Sequence, residues 1–192
     1  MDIEQYKGEF LEAYARAKRL GYDRGNISYT SFSNKLLVGR TLDCLITLFQ
    51  EVLGSMIPEM VAGNCLNISL LLKNLIEDEL NLKSYFTIGS FRMSGKSSFE
   101  FTENELKQWI QYGIPDFSNI NIHAWLTLES LEIIDATIAT TIGIACNVPE
   151  AVGGLIHGLP SDLSGDLSFH PVVVGAEILP DIGAAKAFGL YY

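Results

Sequence analysis

The hydrophobic period of this chain changes once, near residue 84, and that change limits the fold more than any other feature. Before it, apolar residues recur at helical spacing. Residues 2–20 place Ile3, Tyr6, Phe10, Tyr14 and Ala17 on one stripe, with Asp2 as cap and Gly21 after the last turn. Thr41 to Leu53 turns Leu42, Leu45, Ile46, Phe49 and Leu53 inward and ends at Gly54. Cys65 to about Leu80 makes a third helix, with Leu66, Leu70, Leu71 and Leu75 as its apolar face and Asn64 as N-cap. After residue 84 the alternation is strand-like: Tyr85 to Ile88 and on towards Phe91, a hairpin of Ile120–Leu128 with Leu131–Asp135, and His170–Leu179. One helix interrupts them, since Thr102-Glu103-Asn104-Glu105 matches a capping box and Gly113 follows Tyr112. Helices first and strands later is the α+β order.

The rest is connection. Residues 22–40 are polar, Pro58 belongs to a loop, and 146–168 hold Pro149, Gly153, Gly154, Gly158, Pro160 and Gly165 with little regular structure expected. A chain of 192 residues suits one domain, 1–192, with a helical portion at 1–60 and a core at 61–180. Its formal charge of −10 disfavours nucleic acid and anionic membranes as partners. The start, Met1 to Gln5, does not read as a secretory signal. Arg40, Asp43 and Glu51 break the best candidate for a membrane span. Three widely spaced cysteines (Cys44, Cys65, Cys146) fit free thiols in a reducing compartment, hence a cytoplasmic protein.

Chemistry concentrates on three residues in order: a thiol at a helix start (Cys65), an imidazole on a strand (His123) and a carboxylate closing the next strand (Asp135). A nucleophilic cysteine needs its thiolate, which a helix N-terminus and a nearby imidazolium both favour. Along the first hairpin strand, His123, Trp125 and Thr127 share one face. A three-residue loop turns Asp135 to that face. Closing across Thr127 and Leu131 sets it opposite His123; closing one step later sets it opposite Trp125 and diagonal to His123. A two-residue loop would send it to the other side. The turn lacks Gly and Asn, so its type stays open.

Gly63-Asn64-Cys65, His123-Ala124-Trp125-Leu126 and Ile133-Ile134-Asp135-Ala136-Thr137 together resemble the bacterial transglutaminase-like superfamily. Its members commonly show Gly-x-Cys before a helix, then His-Ala-Trp, then Asp-x-Thr after a short strand. The resemblance covers roughly residues 63–137. It implies a papain-like core, in which a Cys-bearing helix packs on an antiparallel sheet. It also implies a Cys-His-Asp triad that breaks amide or thioester bonds through a covalent thioester. In those roles Cys65 is the nucleophile, His123 the base and acid, and Asp135 the orienter of the imidazole. Papain-type enzymes carry a Gln a few residues before the nucleophile as an oxyanion donor. Here the position six before Cys65 is Glu59, which as a carboxylate cannot donate.

Trp125 is core or cleft wall, and is the candidate substrate-binding residue. Cys44 and Cys146 are expected as small buried hydrophobes. His157 and His170 are expected as solvated loop and strand-end residues, with no carboxylate at a persuasive offset. Close ligand pairs for zinc are missing, and Gly153-Gly154 carries no phosphate-loop fingerprint. The expected function is therefore a cysteine protease, amidase or acyltransferase. It would need no cofactor and would act on a peptide, amide or thioester. The alternative is a non-catalytic binding module on the same fold.

Overall fold

A computed structural model of the chain describes residues 1–22, 34–116, 121–163 and 167–184. Most of the expected 22–40 connection, together with Ile120 and Gly165, lies outside the described residues. Within them are six α-helices and six strands, an α+β architecture with antiparallel pairing. The helices are α1 (Ile3–Arg19), α2 (Arg40–Leu53), α3 (Pro58–Val61), α4 (Cys65–Leu80), α5 (Glu103–Tyr112) and α6 (Ile138–Ala145). The strands are β1 (Ser84–Met93), β2 (Lys96–Ser98), β3 (His123–Leu128), β4 (Ile133–Asp135), β5 (Ile156–Gly158) and β6 (Ser168–Val174).

The chain divides into two compact units. One holds Met1–Asn26, Thr87–His123 and Ser164–Tyr192; the other holds Ile27–Phe86 and Ala124–Leu163. In the first, β1 is paired on one side with β2 (Phe91 opposite Ser98) and on the other with β6 (Phe91 opposite Phe169). The tight β1–β2 turn places Ser94 and Gly95 at positive φ, as a two-residue hairpin requires. Helix α1 packs on β6 through Tyr6, Phe10, Ala13 and Ala17. Ala13 replaces the expected Tyr14 in that stripe. Asp2 caps the helix, its Oδ1 accepting from Glu4 and Gln5 backbone N–H groups at 2.6 and 3.3 Å. Arg16 donates to the carbonyl of Val172 and, at 3.0 Å, to Glu103 of α5. The capping box on α5 forms in both directions.

In the second unit β4 lies between β3 and β5. Helix α2 packs on α4, and α3 on α6. Two apolar faces differ from expectation. On α2, Ile46 is exposed while Leu45, Phe49 and Leu53 are buried. On α4 the buried stripe is Cys65, Leu66, Ile68, Ser69, Leu72 and Ile76, and Leu71 is exposed. A run of leucines conceals the true stripe, because every rotation of the helix puts several apolar residues inward.

Two elements of this unit arise where only loop was expected. Strand β5 pairs fully with β4, Ile156 lying opposite Asp135 and Gly158 opposite Ile133. Helix α3 starts with Pro58 in its first turn, where a missing N–H costs nothing. Helix α6 is rich in β-branched residues, which disfavour helix locally. Its ends compensate. At the C-terminus Asn147 adopts φ 53, and the N–H groups of Val148 and Asn147 bond the carbonyls of Gly143 and Ile144 at 2.8 and 3.3 Å, a Schellman closure. In the first unit β6 ends at Val174 rather than Leu179, where Gly175 at φ 121 turns the chain into a 3₁₀ segment, Ala176–Ile178.

Candidate active site

Cys65 is the first residue of α4, and its reduced thiol is buried, 7% exposed. Gly63 enters the helix at φ 72, a left-handed conformation that a side chain would strain, and its N–H donates to Thr141 Oγ1 of α6 at 3.3 Å. Asn64 stands at the N-cap position without capping. Its Nδ2 donates to the Met60 carbonyl, and its Oδ1 accepts from Asn67 Nδ2 at 2.6 Å. Ser69, one turn beyond Cys65 on the same buried stripe, donates from Oγ to the carbonyl of Ala124 at 3.1 Å. That bond fixes α4 against the first residues of β3.

The hairpin closes on a three-residue loop, Glu129-Ser130-Leu131, with the Leu128 N–H donating to the Glu132 carbonyl at 2.9 Å. Leu126 lies opposite Ile134 and Thr127 opposite Ile133. Continued by one pair, this register sets Asp135 opposite Trp125, the later of the two odd-loop closures, and turns it to the face of the odd-numbered β3 residues. Leu131 takes the left-handed position of the loop at φ 67, where glycine is usual. Its side chain is 1% exposed, so burial offsets the strain.

Asp135 is fully buried. Its Oδ1 accepts from the Thr137 N–H at 2.9 Å, the Thr137 hydroxyl at 3.2 Å and the Ile138 N–H at 3.0 Å. The carboxylate therefore caps α6. Trp125 is completely buried and presents no surface. His123, the last residue of the first unit's middle segment, is 2% exposed. Its ring sits among those of Phe91, Phe99 and Phe169, with centroids 5.8, 5.4 and 6.4 Å away. Glu59 is exposed on α3.

The other two cysteines are not the core residues expected from sequence. Cys44 is half-buried and Cys146, following the last residue of α6, is exposed. A buried acid escaped sequence reading altogether. Glu132, 1% exposed, accepts from the Leu36 N–H and the Ser130 hydroxyl at 2.6 Å each, and from the Leu37 N–H. It ties the segment before α2 to the hairpin. Within the second unit Phe49, Leu53, Met56, Val61, Ala136 and Val152 line an apolar cavity of about 180 Å³, with Gln50 and Thr140 as its polar members. None of the expected site residues lines it. His157 of β5 lies opposite Ile134 of β4, and His170 is part-buried with a hydrogen bond on each ring nitrogen. Among the described residues no cluster of His, Cys, Asp or Glu suits a metal ion, and no helix is long and apolar enough to cross a membrane. No family model, curated protein or solved structure matches the chain.

Proposed function

We propose that this protein is a thiol enzyme with a papain-like core that opens amide or thioester bonds through a Cys65 thioester. The observation that carries the reading is the seat of Cys65. It begins a 16-residue helix whose first turn receives no side-chain cap from Asn64. Such a helix start offers about half a positive charge and directed N–H groups, the two things a thiolate and an oxyanion need. In this mechanism His123 takes the thiol proton and returns it to the leaving amine or thiol, and Asp135 holds the imidazole tautomer. Water or an amine then resolves the thioester. Peptides and small acyl thioesters are the substrate class, in the cytoplasm.

Alkylation by iodoacetamide, mapped by peptide mass spectrometry across pH, tests this. Cys146 is the internal standard for an exposed, ordinary thiol. At about pH 6, where an ordinary thiol is protonated, Cys65 is expected to label first despite its burial, and to lose that lead in His123→Ala. If Cys65 instead labels only when the protein unfolds, the enzyme reading fails. A second reading, a binding module without catalysis, draws on the apolar cavity of the second unit. It would gain if Cys65 is inert while an apolar fluorophore raises the melting temperature.

A further inference from the structure

The first unit carries a cluster of serine, histidine and carboxylate side chains. Strand alternation puts Ser168 and His170 on one face of β6, and the β1–β6 register sets Arg92 opposite Ser168 and Ser90 opposite His170. The other face of the same pair carries Phe91 and Phe169, both packed on the His123 ring. Helix α1 adds a carboxylate to the polar face. Glu9 Oε2 lies 3.0 Å from His170 Nδ1, and Ser168 Oγ lies 3.0 Å from His170 Nε2. One tautomer satisfies both bonds: Nδ1–H donates to Glu9, and the bare Nε2 accepts the serine proton.

From this relay we propose an esterase site, separate from Cys65, in which Ser168 is the nucleophile, His170 the general base and Glu9 its positioning residue. The substrate class is small carboxylic esters. Each nitrogen has the partner its role demands, with the acceptor carboxylate on Nδ1 and the hydroxyl on Nε2. Burial opposes ionisation of Glu9. The hydrogen bonds from His170 and Gln5 and the positive charge of Arg92 act against it, and the carboxyl lies below its ordinary range. Glu9 is thus the anion that the relay needs. Ser168 and His170 are each only part-buried, so a small ester can reach Oγ from solvent. Arg92, exposed, lies opposite Ser168 in the strand register, and its Nε donates to Ser97 Oγ at 3.3 Å.

In the reaction, Ser168 Oγ bonds to the ester carbonyl carbon as its proton passes to His170 Nε2. The bond to the alcohol oxygen breaks, and the alcohol leaves with that proton. Water repeats the sequence on the acyl-serine and releases the acid. The same hydrogen bonds could merely fasten α1 to β6, and only the proposed role makes Ser168 reactive.

The test uses a fluorophosphonate probe on the full chain, in wild type and in Cys65→Ser, with adducts mapped by mass spectrometry. Phosphonylation of Ser168 is expected in both proteins, slowed about 10²–10⁴-fold in His170→Gln, with a shifted rate–pH profile in Glu9→Gln. With Cys65→Ser as the background, which removes the thiol's own contribution, p-nitrophenyl acetate turnover should fall when Ser168→Ala is added. The proposal is overturned if folded wild-type protein leaves Ser168 unmodified, or modifies it no faster than the urea-unfolded chain does. That comparison holds even if a variant does not fold.

Discussion

His123 and His170 serve opposite faces of the same strand pair, and their surroundings could hardly differ more. His123 is nearly sealed from solvent among three phenylalanine rings. His170 is half-open, with Glu9 on one nitrogen and Ser168 on the other. The sequence singles out the first because its neighbours spell a motif. It passes over the second because the carboxylate is 161 residues away in the chain. A side chain's chemistry is set by what packs on it, and for a strand residue those partners come from other elements.

The contrast predicts unequal costs, which urea denaturation would measure. Removing one wall of the aromatic box by Phe91→Ala should cost about 3–5 kcal/mol, as truncating a buried aromatic usually does. His170→Ala removes a part-buried hydrogen-bonded group and should cost about 1 kcal/mol. Equal losses would mean that the two faces are not a packed side and a polar side.

Next in size is Leu131→Gly at the hairpin. It relieves a left-handed backbone, worth about 1–2 kcal/mol, but removes a buried side chain worth about 2–5 kcal/mol. The variant should be the less stable protein. A gain would show that strain, not burial, dominates the turn.

Asp135 separates two roles by substitution. Asp135→Ala should lose about 1–2 kcal/mol with the α6 cap. Asp135→Asn, an equally good cap, should keep near-wild-type stability while losing any charge effect on Cys65 labelling. If both variants are equally unstable, the charge itself matters to the fold.

The smallest effect concerns pH at Glu9. Its folded carboxyl lies below the ordinary value of 4.5, chiefly because the His170 and Gln5 bonds outweigh the opposing effect of burial. The unfolded state therefore binds the proton more readily. The stabilisation is complete above the ordinary range and fades as pH falls through the folded value. Partial exposure limits it to about 1 kcal/mol or less. Wild type and Glu9→Gln, compared from pH 7 down to 3 by thermal melts, should converge in acid. A difference that grows on acidification would contradict the sign.

Local signals placed four of the six helices within a residue or two. The Thr102–Glu105 box and Gly113 bound α5, and Asp2 starts α1, because the atoms that decide a cap lie within one turn of each other. The three-residue hairpin loop brings Asp135 to the predicted face, since parity is fixed by counting. Rotation of α4 was not legible, because its leucines satisfy several stripes. Helix α6 was missed although its Asp135 and Asn147 punctuation was present, since β-branched residues masked the segment between them. Strand β5 could not be found at all. Ile156-His157-Gly158 is strand only because β4 offers it an edge.

The sequence by itself determined four of the six helices, the hairpin face that Asp135 takes with an odd-length loop, and the placing of Cys65 at a helix start. Periodicity, caps and loop length act over a few residues and need no distant partner. Tertiary structure alone decided that Cys146 is exposed, that Glu132 holds a distant backbone segment, and that Glu9 meets His170 and Ser168. Those outcomes depend on which surfaces bury one another, and burial is a property of the whole packed chain.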